Sequence, residues 1–330
     1  MKKFLFPAIF ALLISAMPSG YAADLPGMPP LLDPNNVYAA NTPNNFSDTV
    51  KDYPALVYVP NTQSNTVQVY DQKTYKLLRT VKVAREPQHV VPSYDLKTLY
   101  ANSDLGNSLM PFDAKTGKPG KRIPLLDPYN LYFTPNGKYA VVMQERMKQI
   151  AFADPHTFKI KKTLKTKCAG VNHADWTADG NIFIASCEFS GTIIAVDTAK
   201  MKIINEQFIP DNYAKHSASS HAGLPNLGPQ PQDVKLSPDG KTFYIADMMS
   251  DGIWAMPAPW GKLTYIKTGF GAHGLYVTRD AQKLIITNRD DSSISILQFG
   301  DNTIIAKWKL PGNASPDMGG VSADGKSLDR

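Results

Sequence analysis

The apolar residues of this chain come in short runs, broken every few positions by Gly, Pro, Asn or Asp, with almost no helical spacing among them. Residues 231–247, PQDVKLSPDGKTFYIAD, show the unit clearly. A short alternating strand carries Val234 and Leu236, a Ser-Pro-Asp-Gly turn follows at 237–240, and a second strand runs from Thr242 to Ala246. Pro238 presets φ, Asp239 offers its carboxylate to nearby backbone, and Gly240 accepts a positive φ. The pattern returns as QHVVPSYDLKTLYAN from Gln88, YNLYFTPNGKYAVVM from Tyr129, NHADWTADGNIFIAS from Asn172, HGLYVTRDAQKLIIT from His273 and DMGGVSADGK from Asp317. Successive copies lie in the low forties of residues apart, except for one interval of 60. Strand–turn–strand content at that period predicts an all-β fold, a β-propeller of four-stranded blades. In the unit from Gln232 the four strands fall near 233–237, 242–246, 252–256 and 262–267.

Six blades are countable. The array begins near Tyr53, and its first unit, 53–83, lacks a first strand. DMGGVSADGK supplies only a first strand, so one strand from each end would complete a shared sheet. The long interval contains an insertion at 210–230, PDNYAKHSASSHAGLPNLGPQ, and residues 23–52 are rich in Pro, Asn and Asp without any period. These two stretches are expected to be a loop over one mouth of the propeller and an extended lead-in.

YVPNTQSNTVQVYDQKTYKLLRTVKV at 58–83 resembles the YVTN-type propeller repeat, and the array from Tyr53 to Lys326 resembles the YncE-like bacterial propellers. The resemblance implies seven blades. SADGKSL reads as the beginning of a blade, so a C-terminally truncated seven-blade array is expected, with a compact six-blade ring as the alternative. It does not imply one activity, because such folds carry many. Similar propellers include lactonases, oxidoreductase subunits, a haem d1-binding domain and proteins linked to DNA binding.

The opening MKKFLFPAIFALLISAMPSGYA has Lys2 and Lys3, an apolar run from Phe4 to Met17, and small residues Gly20 and Ala22. It predicts a signal peptide cleaved after Ala22, hence a periplasmic or secreted protein. Of the net charge of +6, Lys2 and Lys3 contribute two. Lys159, Lys161, Lys162, Lys165 and Lys167 form the densest basic run, read as a solvated face, with nucleic acid as the minor alternative. Cys168 and Cys187 flank one hairpin at the same edge, which predicts a disulfide in an oxidising compartment.

Strand direction sorts candidate chemistry onto one face. Five of the six histidines fall there, His156 being the exception. The expected ligand site at the channel mouth comprises His89, Asn130, His173, Asp233, His273 and Asp317, with His216 and His221 on the covering loop. His89, His173 and His273 with a carboxylate make a candidate site for Cu, Zn or Fe. Opposite blades are expected to hold these imidazoles too far apart for a single ion. Asp104, Glu145, Glu188 and Asp247 add acidic groups on the same face, but no Gly-x-Ser-x-Gly, P-loop, His-Glu-x-x-His or haem-attachment motif occurs. The expectation is a binding scaffold for a small polar ligand or a protein partner. The alternative is a metal- or cofactor-dependent enzyme, lactonase-like or an oxidoreductase subunit.

Overall fold

The computed structural model describes residues 24–211 and 228–329. The expected leader, His216 and His221 lie outside the described residues. Regular structure within them is strand, apart from isolated 3-10 turns. No helix among them is long and apolar enough to cross a membrane.

The strands build a six-bladed propeller of antiparallel sheets. The first blade has three strands, Leu56–Asn61, Thr66–Asp71 and Leu77–Lys82. Five four-stranded blades follow, opening with inner strands Pro87–Pro92, Asn130–Phe133, Val171–Trp176, Pro231–Leu236 and Ala272–Val277. These inner strands touch their neighbours and ring an axial channel.

The repeated turn explains the period. In all six copies a Ser or Thr hydroxyl donates to the Asp or Asn two residues on, from Ser93–Asp95 to Ser322–Asp324, at 2.5 to 2.8 Å. The same side chain accepts the backbone N–H two residues beyond itself, as Asp239 does from Lys241 at 3.1 Å. One side chain therefore closes both halves of each hairpin.

The apolar core lies between blades. Ile184 and Ile193 of the fourth blade, for example, pack with Val234, Phe243, Ile245 and Trp254 of the fifth. Middle strands such as Ala140–Gln144 and Gln149–Ala153 are buried on both faces, which is why they read as near-continuous apolar runs. Outer strands face solvent, and Ile160–Lys165 carries Lys161, Lys162 and Lys165 there. Cys168 and Cys187 are joined by a disulfide with Cα atoms 5.9 Å apart.

The two ends do not share a sheet. Gly320–Val321 pairs with Leu328–Asp329, Gly320 opposite Asp329, and not with the first blade. The Ser322–Asp324 turn folds the chain back on itself as in the other repeats, so the following strand takes the inner strand's free edge. This hairpin is held to the sixth blade by Arg279, which donates to the carbonyls of Val321 and Ser322. It reaches the first blade through Gln72 Nε2 and Asp329 Oδ2, 2.6 Å apart.

The lead-in is an ordered strap across the turn side of the propeller. Leu25 N–H bonds Asp179 O, Val37 N–H bonds Pro238 O and Asn44 N–H bonds Ala323 O, at 2.8, 2.9 and 2.8 Å. Asn136 Nδ2 donates to Pro26 O at 2.9 Å. The strap thus touches the third, fourth and fifth blades and the hairpin, and it carries Tyr38 over the channel, where the phenol donates to Leu236 O at 2.9 Å.

Candidate functional site

The inner strands do not alternate regularly at the mouth. Pairing slips between Pro87 and His89, Val171 and Ala174, Pro231 and Val234, and Ala272 and Leu275. Each slip is a bulge that leaves the residues between unpaired and turns them toward the axis. Gln88, Asn172, His173, Gln232, Asp233, His273 and Gly274 occupy these stretches, and His89, paired with Asn102, directly follows the first. Gly274 is required beside His273, because a Cβ there would stand 2.5 Å from the Tyr276 hydroxyl.

The bulges bring His89, His173 and His273, from the second, fourth and sixth blades, into one cluster. His89 and His173 have ring centres 5.4 Å apart, and His173 and His273 are 6.3 Å apart. Tyr129 packs edge-on against both His89 and His173. The channel is narrow at this level, with the His173 ring in contact with both of the others. Burial pulls all three imidazoles down to about 3, helped by neighbouring cations and rings: His173 for His89, His273 and Lys235 for His173, Arg289 and His89 for His273. All three are neutral at physiological pH.

Above the rings stands an acidic layer. Asn172 Nδ2 donates to Glu188 Oε2 at 2.8 Å. Burial, with Glu188, Asp104 and Asp127 adding to it, pushes the Glu145 carboxyl up to about 8, so it is a neutral acid at pH 7. Burial raises Glu188 as well, against Gln232, Arg289 and Asn172. Asp317 lies at the open rim, its Oδ1 3.1 Å from His273 Nδ1 and its Oδ2 3.8 Å from Arg289 Nη2. The first of these is close but too poorly aligned for a hydrogen bond, since His273 Nδ1 is without one. His89 Nε2, His173 Nε2 and Glu145 Oε1 are likewise buried and unpartnered, and so is Gln232 Nε2, which lies toward Glu188 without the geometry of a hydrogen bond.

Other expected site residues have structural work. Asp233 is buried, and its two oxygens accept Val234 N–H at 2.9 Å and Leu275 N–H at 3.0 Å. Asn130 Nδ2 lies 2.9 Å from Tyr132 Oη and 3.3 Å from His173 Nδ1. Asp104 is tied to Arg146, and Asp247 to Trp254 Nε1 and Gln230 N–H.

The donor set does not suit a transition metal. Asn130 Oδ1 accepts Leu131 N–H at 2.9 Å, which fixes its amide with Nδ2 toward His173 Nδ1. An N–H at Nδ1 leaves the imidazole proton on Nε2, so His173 turns a donor into the channel where a metal needs a lone pair. Among the described residues, no three His, Cys, Asp or Glu side chains are gathered to hold an ion. As it stands the cluster is a hydrogen-bonding site with donors and acceptors in close array.

The sequence reading passed over two groups. Lys235 follows Asp233 by two positions on the inner strand, so period-two alternation puts both toward the channel. Tyr38 lies in a stretch with no period, and nothing local marks it.

A family model described as a YNCE-like beta-propeller matches residues 23–209. No curated protein matches the sequence. Among solved structures, Kuenenia stuttgartiensis Hydrazine Synthase is similar with a TM-score of 0.67 at 16% identity, over 82% of this chain and 88% of that one. At that identity the likeness is one of fold.

Proposed function

The chain belongs to the YNCE-like β-propeller family, and on that footing we propose that it works outside the cytoplasm as a binding protein whose ligand seat is the channel mouth. The ligand is a small polar molecule. Its acceptor group lies against His173 Nε2 and Gln232 Nε2, and its donor group against Glu188 and Asp317. The observation that carries this reading is the concentration of buried, unpartnered polar atoms of His89, His173, His273, Gln232 and Glu145 at one end of one channel. Each such atom costs about 1–3 kcal/mol unless something bonds it, and a ligand that bonds several at once recovers that cost. The apolar run of residues 4–17 and the Cys168–Cys187 disulfide support an extracytoplasmic setting.

Calorimetric titration with small zwitterions (glycine, taurine) and polyols (glucose, glycerol) tests it. Binding by wild type that weakens about tenfold or more in Gln232→Ala and His173→Phe supports the reading, tenfold being the worth of one good buried hydrogen bond. No binding in either class, or equal binding by wild type and variants, overturns it.

A second reading, a propeller enzyme, is favoured by Glu145. A carboxyl that stays protonated to about pH 8 beside the ionisable Glu188 suits proton donation to a bound substrate, and the structurally similar hydrazine synthase is by its name an enzyme. That reading requires turnover to fall in Glu145→Gln while binding persists.

A further inference from the structure

The turn-side end of the channel holds a second recess, lined by none of the residues of the acidic mouth. It is a cavity of about 160 Å³ between the strap and the last blade, lined by Tyr38, Asn41, Lys235, Tyr276, Arg279 and Val321 among others. By liquid volume that is room for about five waters, the size of phosphate or a short dicarboxylate.

Two cations face this recess without a carboxylate in contact. Arg279 spends Nε on Ser322 O at 3.0 Å and Nη2 on Val321 O at 2.7 Å, which leaves Nη1 with no protein bond. No Asp or Glu among the described residues pairs with it, and burial alone pulls its pKa down. Burial opposes the charge on Lys235, but Asp233 and Asp175, acting at a distance, hold it protonated; neither carboxylate makes an ion pair with it. Both are committed elsewhere, Asp233 Oδ2 to Leu275 N–H and Asp175 Oδ2 to Leu236 N–H.

The sequence marks the same spot. In the other repeats the residue after the turn's Ser or Thr is Tyr94, Pro135, Ala178, Pro238 or Ala323, and only here is it a cation, Arg279. A half-buried guanidinium at a position that elsewhere takes an uncharged residue is costly unless an anion meets it.

We propose that this recess is a seat for a small oxyanion, carboxylate or phosphate, gripped by Arg279 Nη1 and Lys235 Nζ beneath the strap. Charge-assisted bonds to two cations favour an oxyanion over a neutral ligand. The site is distinct from the channel mouth, although the Lys235 charge also acts on His173.

Calorimetry with inorganic phosphate and, separately, with succinate tests it and distinguishes the two chemistries. Wild type is expected to bind one of them, with affinity falling about tenfold or more in Arg279→Gln and in Lys235→Met, while Glu145→Gln, at the channel mouth, leaves it unchanged. Arg279→Gln also loses the bonds to Val321 and Ser322, so near-ultraviolet circular dichroism is recorded on each variant; where the hairpin is lost, Lys235→Met alone decides. Failure of wild type to bind either anion, or undiminished binding by a folded variant, overturns the proposal.

Discussion

Asp233 on the inner strand of the fifth blade accepts the backbone N–H of Leu275 on the inner strand of the sixth, through Oδ2 at 3.0 Å. The device recurs around the channel. Tyr132 Oη accepts Ala174 N–H at 3.1 Å, Asp175 Oδ2 accepts Leu236 N–H at 2.8 Å, and Tyr276 Oη accepts Gly319 N–H at 2.6 Å. Four successive joints of the ring are thus made by channel-facing polar side chains. These groups hold blades together and are not free for a ligand.

Asp233→Ala strands the buried N–H groups of Val234 and Leu275 and removes one of the two carboxylates that sustain Lys235. The expected loss is about 2–3 kcal/mol in urea unfolding, with Asp233→Asn milder because it keeps an acceptor. A loss below about 0.5 kcal/mol, the range of a plain surface change, contradicts the strut role.

Glu145 gives a pH signature. Its folded pKa, about 8, lies above its ordinary 4.5, so the folded state keeps a proton that the unfolded chain has released. Its contribution to stability is full below about pH 4.5 and is lost as pH rises toward 8. Glu145→Gln should match wild type near pH 4.5 and exceed it at pH 8 by at least about 1 kcal/mol. Thermal unfolding across that range checks it; a constant difference rules the burial effect out.

The three imidazoles act in the opposite direction. Their folded pKa of about 3 lies below the ordinary 6.5, so the unfolded chain takes up protons first on acidification. The stability they confer is full above about pH 6.5 and declines as pH falls toward 3, each contributing a slope of up to about 1.4 kcal/mol per pH unit. Replacing all three with Gln should flatten the decline in melting temperature between pH 7 and 4. An unchanged slope would mean that the rings are solvated.

What was legible in the sequence was whatever repeats locally. The Ser/Thr-x-Asx turn bonds to itself in all six copies, so spacing alone reveals the blades. The convergence of His89, His173 and His273 was hidden because it depends on bulges, which shift facing by one residue without any change in composition. The roles of Asp233 and Asn130 were hidden for a related reason. Their partners, Leu275 N–H and His173, lie 42 and 43 residues away, on the next blade. The strap was least legible, since its contacts with Asp179, Pro238 and Ala323 run through backbone groups that every sequence has.

The strap lies against the repeat turns, more tightly at Gly180, where a Cβ would stand 2.7 Å from Met28 Sδ, than at Gly240. Gly240 has φ +69°, and a Cβ there would stand 3.0 Å from the Ala178 Cβ and 3.7 Å from Val37 of the strap. Ala281 occupies the equivalent turn position of the sixth blade at φ +55°, so the left-handed conformation itself is tolerated without glycine. Gly240→Ala should therefore cost about 1–2 kcal/mol of conformational strain plus whatever the crowding against Ala178 adds. Ala281→Gly should be near neutral, because relief of the same strain is offset by a lost buried methyl, about 0.8 kcal/mol, and by a more flexible unfolded chain. Paired denaturant melts of the two variants measure the difference. Equal effects at the two sites would mean that the left-handed turn and its packing against Ala178 cost nothing; a larger loss for Gly240→Ala supports both.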